Sequence, residues 1–379
     1  MFTLSGWWYR GGTSKCWLFD HTSISEHGSS PEELSQTLAA AFGAADPRQI
    51  DGVGGATSTT SKAAIIRPTP EGELDLEYTF AQVGIGTTTV ELGSNCGNCA
   101  TAIGLYAVTE GLVAPQGDVT PVRMWNVNTR SALTARVHTP GGQVAYDGDA
   151  RIPGSRAAGV RVDLVFDSPA GAMTGRLLPT GSVTELLSTA DGREVQATLV
   201  DAGAPACLIA AADLGLTGSE SLDEIAEHVP VLTILRCEAA LRMGLSGPND
   251  PVGHAIPKVG VVGPPADYVT TTGEHVSAAD HDVAVRMLSM LAPHPAIGLT
   301  SAVAVAAAAG QRGSTVDAVA RRSASADPGA GTSLRIGTPA GVVAAHVETD
   351  PDGRITAVAL HRAARRIARA EITVPATRP

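Results

Sequence analysis

The chain has 379 residues, enough to bury a sizeable core without disulfides or metals and long enough for two domains. Lysine and arginine number 27 against 38 aspartates and glutamates, a net charge of −11, which excludes the basic footprint of a nucleic-acid binder. Glycine (42) and proline (24) are frequent and aromatics make up only 4%, so the composition predicts many short strands around a core of Ala, Val, Ile and Leu rather than a helical bundle.

No apolar run approaches the ~18 residues of a membrane helix; the longest is Ala302–Ala309. The opening MFTLSGWWYRGGTSK lacks a basic segment followed by an apolar stretch, so it does not read as a signal peptide. The cysteines, Cys16, Cys96, Cys99, Cys207 and Cys237, form an odd, sparse set. Free thiols in a reducing compartment, and hence a cytoplasmic location, are the expectation.

In chain order, β-branched or apolar segments between Gly-rich turns predict strands at Met1–Leu4, Trp17–Phe19, Lys62–Arg67, Leu74–Gln82, Thr88–Leu92, Val122–Asn126, Leu133–Val137, Gln143–Tyr146 and Val160–Phe166. A helix is expected over Pro31–Phe42, capped by Ser29–Ser30. Another is expected over about Cys99–Thr109, with Asn98 as its N-cap. The segment CATAIGLYAVT is apolar nearly all round, the mark of a helix buried on every side. The second half repeats the plan, with strands at Val195–Val200, Ala206–Ala210, Lys258–Val262, Leu334–Ile336, Val342–Val347 and Ile355–Leu360. Its helices are expected at Ser221–Glu227, Val231–Met243, Asp280–Leu291 and Thr300–Ala309, the last again wholly apolar and capped by Thr300. The fold class is therefore α+β, with two similar lobes of 1–184 and 185–379, each a sheet curled around a central apolar helix. The boundary falls in Gly181–Arg193, the last strand can return to the first lobe, and Ser323–Thr332 reads as a flexible loop.

Four segments could carry chemistry. In GSNCGNCA, Gly93–Ala100, Cys96 precedes a helix and Cys99 sits in its first turn. A helix N-terminus stabilises a thiolate and binds carboxylates, so Cys96 suits a low-pKa nucleophile or proton-transfer base, against a bland reading as a buried structural cysteine. A thioredoxin-type redox pair would need a βαβ context, and zinc a second ligand pair; neither is evident. In DGVGGATSTTSK, Asp51–Lys62, both the dinucleotide and the Walker patterns fail, leaving Lys62 as a catalytic acid/base or a solvated strand-end lysine. RGGTSK, Arg10–Lys15, reads as a tight turn or an anion-binding nest. HPAIGLTS, His294–Ser301, makes a second anion-ready helix end, with His294 either a base or an exposed loop residue. The chain has three lysines, Lys15, Lys62 and Lys258, and two of them lie in hydroxyl- and Gly-rich loops. Asp223, Glu224 and Glu227 read as a solvated helix face, and Arg362, Arg365, Arg366 and Arg369 as surface residues.

Taken together and in order, RGGTSK, DGVGGATSTTSK, SNCGNCATAIGLYAV, LPTG, DAGAP, ALRMGL, PKVGVVGPP and the tail R-x-A-R-R resemble the PrpF family of methylaconitate isomerases and 4-oxalomesaconate tautomerases. The resemblance spans the chain. It implies the diaminopimelate-epimerase-like fold, with an active site between two helix N-termini. It also implies an isomerase that shifts a proton and a double bond in a small unsaturated polycarboxylate, with no metal and no cofactor. By motif, Lys62 and Cys96 match the acid/base pair. Asn95, Gly97 and Asn98 match the carboxylate-binding turn, and Ser14, Gly298 and Thr300 are further substrate-binding matches. The second-lobe turn AIGLTS has no cysteine, which disfavours a two-thiol epimerase or racemase. AIGLTSAV and VNTRSALTARVHTPGGQVAYDGD resemble the tautomerase branch, and GGATSTTSK the methylaconitate branch. The alternatives are a non-catalytic accessory protein of an aconitase-type dehydratase, or an epimerase or racemase like diaminopimelate epimerase. The expected partner is an anionic polycarboxylate, not nucleic acid or membrane, and a homodimer is compatible with this reading.

Overall fold

A computed structural model describes residues 1–28, 30–69, 72–92, 95–247, 256–321 and 332–375. The chain divides into two units, Met1–Val165 with His361–Pro379, and Phe166–Leu360. The segment after Val165 joins the second unit through its own backbone bonds: Ser168 N–H donates to Thr356 O, and Gly171 N–H to Asp201 O.

In chain order the first unit contains β1 (Phe2–Gly11), β2 (Ser14–Asp20), α1 (His21–Ser25), α2 (Pro31–Phe42), β3 (Lys62–Pro68), β4 (Leu76–Val83), β5 (Val90–Glu91), α3 (Gly97–Thr109), β6 (Val119–Asn126), β7 (Ser131–His138), β8 (Ala150–Ile152) and β9 (Ser155–Asp167). β1 and β2 form a hairpin in which Gly11 faces Ser14. β2 runs parallel to β3, β3 antiparallel to β4, and β4 parallel to β6. The sheet wraps α3, which touches β1, β2, β3, β6 and β7. Every residue from Cys99 to Thr109 is buried, as the all-round apolar pattern requires. Ser30 caps α2 through a capping box with Glu33.

The second unit contains β10 (Glu185–Ser188), β11 (Glu194–Ala202), β12 (Ala204–Ala210), α4 (Leu222–Ala226), α5 (Val229–Arg242), β13 (Lys258–Gly263), β14 (Tyr268–Val269), β15 (His275–Val276), β16 (Val283–Ser289), β17 (Ala292–Pro293), α6 (Leu299–Ala309), α7 (Thr315–Val319), β18 (Thr332–Thr338), β19 (Gly341–Thr349) and the start of β20 (Ile355–Val374). Its sheet packs around α6, whose residues Ser301–Ala308 are all buried. From residue 361 onward β20 belongs to the first unit, where it pairs antiparallel with β1. The α+β class, with a sheet around an apolar helix in each unit, is thus what the sequence predicts.

Four local expectations are corrected. The helix expected over Asp280–Leu291 is the strand β16, paired to β13 and β18. Val283–Leu288 is buried on both faces, so the segment lacks the alternation that marks a half-exposed strand. Gln143–Tyr146 is irregular, not a strand. The N-cap of α3 is Cys96, not Asn98, and that of α6 is Gly298, not Thr300; both helices begin one turn-residue or more earlier than their apolar runs. Of the loop Ser323–Thr332, residues 323–331 lie outside the described residues, and Thr332 opens β18. Ser29, Gly93 and Ser94 also lie outside them. Among the described residues no helix is long and apolar enough to cross a membrane.

Candidate active site

The N-terminus of α3 gathers the chemistry of the first unit. Cys96 occupies the N-cap in extended conformation, and no side chain caps the first-turn N–H groups. These groups and the helix dipole face whatever lies before the helix. Gly97 and Asn98 form the first turn. The Asn98 amide is held on three sides: its Nδ2 donates to Thr13 Oγ1 (3.1 Å) and Ser14 Oγ (3.2 Å), and its Oδ1 accepts from Arg362 Nη2 (2.5 Å). Ser14 is 4% exposed. Asn95 is held by Tyr78, whose hydroxyl donates to Oδ1 (3.1 Å), and by Asn126 Nδ2 (3.3 Å).

The hairpin turn reaches this helix end because residues 11 and 12 have no side chain. A Cβ on Gly11 would lie 2.0 Å from the Asn98 carbonyl oxygen. One on Gly12, at φ +55°, would lie 1.9 Å from Asn98 Oδ1. RGGTSK is therefore both a tight turn and a seat for Asn98.

Lys62 opens β3, opposite Gln82 in the register of β3 and β4. Its Nζ donates to Gln82 Oε1 at 2.5 Å and lies 5.2 Å from the centre of the Phe80 ring. Gln82 is held in turn by Ser61 O, to which its Nε2 donates at 2.9 Å. The sequence leaves Cys96 as a low-pKa nucleophile, a proton-transfer base or a buried structural cysteine, and its surroundings oppose the first of these. A hydrogen bond with Cys99, then burial, pushes the Cys96 thiol well above its ordinary value, against the pull of the Lys62 ammonium. Cys99 is raised by burial and by Cys16, which makes it the middle of three adjoining thiols. Cys96 is half-buried, and Cys16 and Cys99 are buried. Among the described residues no group of His, Cys, Asp and Glu is placed to hold a metal ion.

In the second unit Gly298 caps α6 without a side-chain bond, and Thr300 lies in the first turn, half-buried. His294 is not an exposed loop residue. Burial and then Lys258 push its pKa down to about 4, and its Nδ1 accepts from Ala296 N–H at 3.0 Å. Asp201 of DAGAP is buried and structural: its Oδ2 accepts from the N–H groups of Met173 and Thr174 and from Thr174 Oγ1.

One residue of the α3 site escaped the sequence reading. Arg362, taken there as a surface residue, is only 6% exposed, whereas Arg365 and Arg369 are exposed as expected. The signal was available in the apolar run AVALHRAA, where alanines on both sides leave a strand no wet face.

The description "PrpF protein" matches residues 2–375 of this chain. The chain belongs to the PrpF family. Relatives include the 3-methylitaconate isomerase of Eubacterium barkeri, 35% identical over 333 residues, which cover 86% of each chain. The 4-oxalomesaconate tautomerase of Pseudomonas putida is 37% identical over 318 residues, covering 83% of this chain and 81% of that one. A solved structure, that of a methylitaconate-delta-isomerase, superposes with a TM-score of 0.86 at 32% identity, over 98% of this chain and 96% of that one. A hydroxyproline epimerase from Agrobacterium vitis shares the fold alone, with a TM-score of 0.50 at 11% identity, over 98% and 92% of the two chains.

Proposed function

We infer that this PrpF protein is an isomerase that moves a proton and a double bond within a small unsaturated polycarboxylate, of the methylaconitate or oxalomesaconate type. Its relatives bearing activity names are isomerases and tautomerases of such acids. The observation that carries the chemistry is the Cys96 thiol at an uncapped helix end, within the electrostatic reach of Lys62.

The reaction divides into two proton transfers. A carbon flanked by the double bond and a carboxylate or keto group loses a proton, and the charge spreads over a dienolate. The first-turn N–H groups of α3, with Asn98 and Ser14 fixed beside them, stabilise the oxygens where that charge develops. The raised Cys96 thiol favours the order in which Cys96 is the donor and Lys62 the acceptor. In this order Lys62 enters as the free amine, having released its ammonium proton to solvent, and the substrate proton restores the ammonium. The restored charge favours ionisation of the Cys96 thiol, which delivers its proton to the far carbon or oxygen. Transfer of the Lys62 proton to the Cys96 thiolate then restores both groups.

Proton NMR in D₂O with a panel of unsaturated di- and tricarboxylates tests this order. Native protein should give product carrying solvent deuterium. Cys96→Ala should form no product yet still exchange the departing proton, whereas Lys62→Met should lose both. Exchange that survives in Lys62→Met and vanishes in Cys96→Ala would reverse the two roles. A native protein that isomerises none of the panel would overturn the activity.

A further inference from the structure

Arg362 carries a positive charge into the protein. It lies on β20, is 6% exposed, and among the described residues no carboxylate pairs with it. One Nη donates to the amide oxygen of Asn98, a neutral acceptor in the first turn of α3. Its Nε is buried without any hydrogen-bond partner. Buried guanidinium groups are ordinarily matched to an acid, because desolvating the charge alone is costly.

The surroundings have the same sign. Burial pushes the Arg362 pKa down to about 10, Cys96 acts against that, and Arg10 acts with it. Through its bond to Asn98 the guanidinium lies at the first turn of α3, the positive end of that helix dipole, where the charges of Cys96 and Arg10 both act on it. The arrangement is held rather than incidental. Gly12 N–H donates to Ala363 O at 2.9 Å, and a Cβ on Gly12 would lie 2.4 Å from Arg362 Nη2. The hairpin turn, the helix end and β20 are thus built around this side chain.

We propose that Arg362, with the first turn of α3, binds a carboxylate group of the substrate, and that this carboxylate is the counter-charge that the described residues do not supply. The proposal rests on the polycarboxylate reading above and adds to it the residue that selects for an anion at this end of the site. A guanidinium suits the task because its planar fork can serve Asn98 on one side and a carboxylate on another. An arginine kept for binding also explains the absent acid: an internal Asp or Glu would compete with the ligand.

The test separates binding from turnover by using a saturated acid that cannot isomerise, propane-1,2,3-tricarboxylate, followed by calorimetry. Lys62→Met and Cys96→Ala should bind it within a few-fold of the native protein. Arg362→Met should bind it at least ~30-fold more weakly, while its melting temperature without ligand stays level or rises, since an unpaired buried charge has been replaced by an apolar chain. Arg362→Lys, which keeps the charge and loses the fork, should bind with intermediate affinity, and it serves the test if the Met variant does not fold. Native-like affinity in the folded Arg362 variants would overturn the proposal and leave the functional reading standing. A native protein that binds no polycarboxylate would overturn both. A melting temperature that falls with unchanged affinity would make Arg362 a structural residue.

Discussion

Gly11→Ala is the sharpest test of how the site is assembled. Gly11 ends β1 against the first turn of α3, paired to Ser14 on one side and Ala364 on the other. A methyl group there would lie 2.0 Å from the Asn98 carbonyl oxygen and 2.7 Å from the Ala102 amide nitrogen, both backbone atoms. Ordinary contact begins near 3.4 Å, so strand and helix end must part by about 1.4 Å. Neither yields easily, because β1 is paired on both edges and α3 is buried from Cys99 onward. Overpacking of this kind costs about 1–3 kcal/mol, or roughly 3–10 °C of melting temperature in units of this size. The catalytic loss should be larger, since a misplacement near 1 Å costs on the order of 10²-fold in rate. Gly310→Ala is the control: its backbone is in the ordinary helical region, and a Cβ there would meet only Ala307 O at 3.4 Å. That variant should stay within about 1 kcal/mol of native with full activity. Thermal melts and deuterium incorporation by proton NMR measure both effects. A Gly11→Ala protein with native melting temperature and turnover would show that the hairpin does not set the position of Asn98 and Cys96.

Further outcomes follow from the same geometry. Cys99→Ala removes the thiol that does most to keep Cys96 protonated, so iodoacetamide should alkylate Cys96 faster at neutral pH in that variant than in native protein. In native protein the alkylation should rise only on the alkaline side, and turnover that needs the Cys96 proton should fall as pH climbs through that range. Gln82→Leu frees Lys62 Nζ from its acceptor and should lower kcat by about tenfold with little change in KM, read from steady-state kinetics. His294 has its folded pKa lowered to about 4, first by burial and then by Lys258, against about 6.5 unfolded. The folded state therefore resists protonation that the unfolded chain accepts, and stability should drop by about 3 kcal/mol as pH falls from 6.5 to 4. His294→Gln should flatten that slope in urea titrations across the same window; an unaltered slope would mean that the ring takes up its proton without penalty.

The sequence by itself determined the composition of each core and the two helices that organise it. An apolar pattern on every face, as in CATAIGLYAVT and TSAVAVAAAA, is stable only when a sheet encloses it, and that follows from hydrophobic burial alone. Cys96 and Lys62 stand out as candidates because they end Gly-rich loops at the starts of elements, whereas Asn98 and Ser14 enter as substrate-binding candidates only through the family resemblance; the structure joins these two by a hydrogen bond. What the sequence could not decide depends on distant neighbours. Val283–Ser289 is a strand because β13 and β18 flank it; its residues fit a buried helix equally well. Whether the Cys96 thiol ionises is set by the balance of Cys99, burial and Lys62, and that balance exists only once β3 is laid beside α3. Arg362 looks like one of several arginines in a basic tail until β20 pairs with β1 and carries it 264 residues back along the chain, to the amide of Asn98. Burial and charge partnership are properties of a place in the fold, and the tertiary structure alone assigns that place.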